Sequence, residues 1–155
     1  MIIGHKTIIA DLQKLVERDQ LGHGYIFVGS SMLGKRTVAL ALAHFLETGV
    51  FDVPADGYVL QDIKVIDGAF MKTLNPDMAG DSIGIDAVRE IKNFLWQKPN
   101  ISKRRTLIID NAELLTTAVK AISAQTILRM ADPKAFCLMF LSLATNASCY
   151  TKRPG

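Results

Sequence analysis

Apolar positions along the chain follow two rhythms in turn. Ile8, Ile9, Leu12, Leu15 and Val16 recur at helical spacing and predict an amphipathic first helix over residues 6–18. The run "YIFVG" (25–29) is continuously apolar and ends in glycine, the pattern of a short strand buried on both faces. "KRTVALALAHFLE" (35–47) is rich in alanine and leucine without a breaker, and predicts a helix that begins at a glycine-containing turn. "FDVPADGY" (51–58) mixes Pro54, Gly57 and acidic residues and reads as a loop, and "DIKVID" (62–67) reads as a second strand. Beyond the turn-forming "LNPDMAGDS", "IDAVREIKNFLWQ" (85–97) spaces Ile85, Val88, Ile91 and Leu95 as a helix, with Pro99 just past its end. "TLIID" (106–110) is the third strand, a helix follows from about Thr117 to Met130, and "FCLMFLSLAT" (136–145) is the fourth strand.

Strands alternating with helices imply the α/β class: a mostly parallel sheet covered on both faces and joined by right-handed crossovers. A chain of 155 residues matches one domain, with no internal repeat or low-complexity tract. Its hydrophobic fraction of 49% and charged fraction of 21% exclude disorder as the default state. No stretch approaches the ~20 consecutive apolar residues that span a bilayer. The start, "MIIGHKTIIADLQK", meets polar residues too early for a signal peptide, so a cytoplasmic protein without membrane contact is expected. Cys137 and Cys149 have no C-x-x-C spacing and no clustered histidines beside them, which argues against a zinc site or a disulfide framework.

A net charge of +3 is too small to name a partner. The densest basic run, "KPNISKRR" from Lys98 to Arg105, has the composition to touch phosphates, but a solvated loop leading into the third strand is the preferred reading. Aromatic residues do not interleave with it, as a platform for single-stranded nucleic acid requires.

The chemistry concentrates in "GSSMLGKRT" (29–37). Gly29, Gly34 and Lys35 occupy their places in the phosphate-loop pattern G-x-x-x-x-G-K-[ST], but the position that should offer a hydroxyl to magnesium is Arg36. Strand, loop and helix are the context the pattern needs. Loop amides, including that of Ser30, approach phosphate oxygens, the helix N-terminus favours negative charge, and Lys35 reaches the outer phosphates. Thr37 is a substitute hydroxyl, but one position later on a helix it points about 100° away, at ~3.6 residues per turn. A glycine turn that matches by chance is the alternative.

A second segment bears on that alternative. In "RTLIIDNAELL" (105–115), Asp110 ends a buried apolar strand as the Walker B aspartate does where it holds magnesium. The next position, a glutamate in hydrolytic proteins, is Asn111, whose amide cannot take a proton from water. Helix capping accounts for either residue singly. It does not explain why both departures, Arg36 and Asn111, fall on hydrolytic positions.

In order, "IIGHKTIIADLQKLV", "LGHGYIFVGSSMLGKRTVALALAHFL", "SIGIDAVREIKNFL" and "RRTLIIDNAELLT" resemble the N-terminal AAA+ domain of the bacterial DNA polymerase III clamp-loader subunit delta-prime. The resemblance runs over about residues 1–117, within the usual boundary error. It implies a three-layer P-loop NTPase fold, an "IIGH" segment near the adenine, and phosphate and magnesium roles for Lys35 and Asp110. Asn146, at the end of the fourth strand, is a candidate sensor of the terminal phosphate or a strand cap. The family often carries a four-cysteine zinc module after the phosphate-loop helix; here "TGVFDVPADGYV" holds no cysteine, and no zinc is expected. Only Asp132 and Pro133 remain of a doubled acid and doubled proline, and the tail "NASCYTKRPG" fits the family poorly. The chain stops before the family's Ser-Arg-Cys segment, fifth strand, lid and collar, so an N-terminal fragment or truncated form is expected. Strand 25–29 should then lie beside 136–145 at a sheet edge, with the third strand beside the second.

The resemblance implies a subunit with a degenerate ATP site that works as a structural partner in loading the sliding clamp. Its partners would be other clamp-loader subunits and the polymerase holoenzyme, a nucleotidyltransferase, with DNA contact indirect or weak. ATP or ADP would bind weakly and with little magnesium dependence, and ATPase activity would be absent or very weak. Two readings compete: a catalytic P-loop ATPase or kinase using Thr37 and another base, and an AAA+-like scaffold that binds no nucleotide.

Overall fold

The computed structural model describes residues 4–55, 58–74, 85–112 and 136–143. The four apolar runs become β1 (Gly24–Gly29), β2 (Ile63–Ile66), β3 (Arg105–Ile109) and β4 (Phe136–Leu143). All neighbours in the sheet are parallel, and the order is β1-β4-β3-β2. Helix α1 (Lys6–Glu17) precedes β1, α2 (Lys35–Thr48) joins β1 to β2, and α3 (Gly68–Leu74) and α4 (Ile85–Trp96) lie between β2 and β3. Six of the elements that the periodicity predicts begin and end within two residues of the expected bounds, and β4 begins at the expected Phe136. Short α3 was not predicted. The expected helix at 117–130, the end of the fourth strand and Asn146 lie outside the described residues.

The interior follows from the two periods. Leu12 of α1 and Val38, Ala39, Leu42 and Ala43 of α2 pack on Ile108 of β3 and Cys137, Met139 and Leu141 of β4. The small alanines let α2 lie close to the sheet, and Gly49 ends it in a left-handed conformation (φ 78°) with its amide on the Phe45 carbonyl at 2.8 Å. Leu107 and Ile109, one residue out of phase with Ile108, face the other side and are fully buried. There α3 and α4 contact β2 and β3, and Val88, Ile91 and Leu95 form the buried stripe of α4.

β1 corrects one expectation. Tyr25 and Phe27 pack on the core, but Ile26 and Val28 are 69% and 63% exposed. Among the described residues β1 pairs only with β4, so it is the expected edge strand, and the layer formed by α3 and α4 does not reach its second face. The stripe on α1 is also narrower than predicted, because Ile8 is exposed.

The basic run is a second correction. Arg104 and Arg105 are buried rather than solvated. Arg104 donates to the Leu21 carbonyl at 3.1 Å and to Asp19 at 3.2 Å, and Arg105 donates to the Lys98 carbonyl at 2.7 Å while lying over the Phe94 ring. Asp62, 1% exposed, accepts the amides of Asn100, Ile101 and Ser102 at 2.6, 2.7 and 2.7 Å. The arginines and this carboxylate fasten the loop to the sheet, while Lys98 and Lys103 remain exposed.

Candidate phosphate-binding site at the carboxyl edge of the sheet

β1 delivers the chain into the loop at Gly29, and α2 carries it away from Lys35. Two left-handed residues make the turn, Met32 (φ 62°) and Gly34 (φ 76°). Only the second is glycine, so Met32 holds a conformation that side chains resist, the kind of local strain found at ligand loops. Gly34 is the N-cap of α2 and, among the described residues, no side chain caps the helix; its first-turn amides are left for an anion. Lys35 and Arg36 put two cations at the positive end of that helix, where its dipole opposes them. Carboxylates from two other elements offset this.

Those carboxylates are Asp110 and Asp67. Parallel pairing sets Ile66 opposite Ile109, and the Asp110 amide continues the ladder to the Ile66 carbonyl at 2.9 Å. The next residues, Asp67 and Asp110, therefore leave the sheet side by side. Arg36 spans them: its Nη2 lies 2.8 Å from Asp67 Oδ2 and its Nη1 lies 3.0 Å from Asp110 Oδ2. Partial burial works against the guanidinium charge, but the two carboxylates outweigh it and hold the Arg36 pKa above its usual value. Burial likewise opposes ionisation of Asp67, yet the Phe70 amide and Arg36 hold its pKa below the usual carboxylate range. The Phe70 amide donates to Asp67 Oδ1 at 2.9 Å, so the residue that pairs with Arg36 also caps α3.

The P-loop fold implies a magnesium ion at this point, and the residues do not fit one. The hydroxyl that would ligate it is replaced by Arg36, and the Walker B carboxylate is already engaged by the same side chain. Lys35 turns back on the loop, donating to the Gly29 and Ser30 carbonyls at 2.8 Å each. Asn111 sits in a left-handed conformation (φ 53°) with its amide on Asp110 Oδ1 at 3.0 Å.

The loop from Ser31 to Thr37, with Asp110, Asn111 and Ser142, lines a cleft of about 380 Å³. Thr37 is thus at the cleft, while Gly29 and Ser30 contribute the carbonyls that hold Lys35. A second, more apolar groove of about 320 Å³ shares Leu33 and Lys35 with the first and runs along Ile8, Ile26 and Val28. His5 also lines it, its Nε2 3.0 Å from the Leu33 carbonyl, which brings this last residue of "IIGH" against the phosphate loop; Ile2 and Ile3 lie outside the described residues.

Asp67 is the functional residue that sequence reasoning missed. Its signal was present: "VID" (65–67) and "IID" (108–110) end two strands in the same way. The sequence places the third strand beside the second, as observed, but does not give their register, which is what sets Asp67 next to Asp110.

A family model described as DNA polymerase III, delta subunit, matches residues 4–148. A DNA polymerase III subunit gamma/tau from Mycoplasma genitalium is 29% identical over 124 residues, covering 74% of this chain and 19% of that protein. A replication factor C small subunit from Methanoculleus marisnigri is 29% identical over 127 residues, covering 81% of this chain and 33% of that protein. This chain therefore spans only part of the length of either relative. Among solved structures, a DNA polymerase III gamma subunit-related protein from Thermotoga maritima superposes with a TM-score of 0.59 at 21% identity, covering 87% of this chain and 39% of that one. A RuvB mutant from the same organism superposes with a TM-score of 0.54 at 20% identity, covering 91% and 39%. At such identities the structural likeness shows the fold, that of the AAA+ P-loop proteins.

Proposed function

Because the chain belongs to the family described as DNA polymerase III, delta subunit, and is a clamp-loader AAA+ protein, we propose that it serves DNA replication as a delta-prime-like subunit with a degenerate ATP site. Its role is structural: it holds its place among other clamp-loader subunits and the polymerase holoenzyme, with DNA contact indirect or weak. One observation carries the reading. Arg36, in the position of the magnesium-binding hydroxyl, is ion-paired at 3.0 Å with the aspartate that would hold the metal. Phosphoryl transfer to water needs a positioned cation, a group that orients the water, and an arginine that stabilises the transition state, commonly from a neighbouring chain. Arg36 and Asn111 remove the first two. Lys35 and the first-turn amides of α2 can still hold phosphate oxygens, so ATP or ADP binds weakly, and without help from magnesium, whose hydroxyl ligand Arg36 replaces.

Phosphate release by the purified chain with ATP and magnesium is the test. Release at the level of the buffer blank is expected, and Arg36→Thr combined with Asn111→Glu should raise it only slightly, since no neighbouring chain supplies an arginine. Brisk release that disappears in Asp110→Asn would establish instead a catalytic P-loop ATPase or kinase.

A further inference from the structure

The commitment of both carboxylates to one guanidinium has a consequence for the form of nucleotide the site accepts. We propose that the cleft takes a nucleoside di- or triphosphate in its metal-free form and disfavours the magnesium complex, with Arg36 as a resident cation. This rests on the reading that nucleotide binds at the phosphate loop.

The geometry gives the reason. Magnesium requires near-octahedral oxygen ligands at about 2.0–2.1 Å and dehydrates reluctantly. The oxygens that could receive it, on Asp67 and Asp110, are held at 2.8 and 3.0 Å by the two terminal nitrogens of Arg36. A metal carried in on the phosphates would meet a guanidinium a few ångströms away and would have to displace it from both partners. Metal-free phosphate meets no such obstacle. A guanidinium has five N–H donors in a planar fork, and the Arg36 side chain is 46% exposed towards a cleft lined by the loop, so donors remain for a phosphate oxygen while the carboxylates stay bound.

The local charge agrees with this. Among the described residues, Lys35 and Arg36 are balanced by Asp67 and Asp110, so these four side chains sum to zero charge without any metal, and the first-turn amides of α2 add attraction for phosphate. Asp67 is also held independently of Arg36, through the Phe70 amide, and Asp110 is fixed by the β-ladder. Removing the guanidinium should therefore leave two carboxylates side by side, free to take a divalent cation.

The test has two arms, both on the full chain. In the first, a fluorescent ATP analogue is titrated in EDTA and then in excess magnesium. Wild type should bind several-fold more weakly with magnesium, and Arg36→Thr should reverse the order. Tighter wild-type binding in magnesium would overturn the proposal while leaving the nucleotide-site reading intact. No binding in either buffer, or unchanged binding in Lys35→Ala, would overturn both. In the second arm, Mn²⁺ alone is followed by electron paramagnetic resonance. Wild type should leave the ion free, Arg36→Thr should take it up, and adding Asp67→Asn should abolish the uptake. Equal Mn²⁺ uptake by wild type and Arg36→Thr would show that Arg36 does not occupy the cation position, and would overturn the proposal without bearing on whether nucleotide binds.

Discussion

At the residue scale, side chains that look alike in sequence have opposite fates. Arg36 is half exposed and aimed into a cleft, whereas Arg104 and Arg105 are buried in the framework. The departure at Arg36 was legible, because the phosphate-loop pattern gives position 36 a meaning; its partner Asp67 was not, because that contact depends on strand register. Asp62 likewise gave no sequence signal, since the amides it accepts come from a loop 38 to 40 residues away. Burial opposes its charge, but the hydrogen bonds from Asn100, Ser102 and Ile101 prevail and hold its pKa below the usual carboxylate range. Asp62→Asn turns two of its acceptor sites into donors facing donors, and should cost about 2–4 kcal/mol in urea unfolding at neutral pH. The native pKa is the lower one, so this stabilisation is complete above the unfolded value of about 3.9 and is lost as pH falls through the native value. Acid titration of stability should accordingly be shallower in Asp62→Asn than in wild type below about pH 4.

At the element scale, the predicted helices and strands were legible where hydrophobic period and length agreed. α3 was missed because its seven residues are too few for a hydrophobic period to show. Asp67 makes it a helix by accepting the Phe70 amide. β1 misled for a different reason. A continuous apolar run marks a strand buried on both faces only if both layers extend over it, and the run cannot say whether the strand lies at the centre or the edge of a sheet. The two faces of this part of the molecule should respond unequally to substitution. Ile26→Thr, on the exposed face, should change stability by no more than about 0.5 kcal/mol. Leu42→Ala, in α2 beneath the same sheet and fully buried, should cost about 2–5 kcal/mol. Guanidinium denaturation of the two variants beside wild type checks the contrast, and equal losses would contradict the edge placement of β1.

At the scale of the whole molecule, the sheet is ordered β1-β4-β3-β2, with β4 between β1 and β3. The core built across β3 and β4 encloses Cys137, at 0% exposure, and burial pushes its thiol pKa up to about 12. A thiol so protonated and enclosed is inert in the native state. In a Cys149→Ser background, labelling by a thiol reagent should therefore be limited by opening of the sheet, and its rate should rise with urea in step with unfolding measured by circular dichroism. Labelling that is fast in native buffer would mean that β4 opens locally. The same sheet also fixes how the cleft is charged. Because Arg36 is joined to Asp67 and Asp110 by the fold itself, its effective concentration at them is set by chain geometry, on the order of millimolar or above. A chelator cannot strip such a cation, dilution cannot release it, and the supply of free magnesium in the surroundings does not decide whether the position is filled. What a dissociable ion would offer in return, a site that can be emptied and refilled with each round of chemistry, is given up.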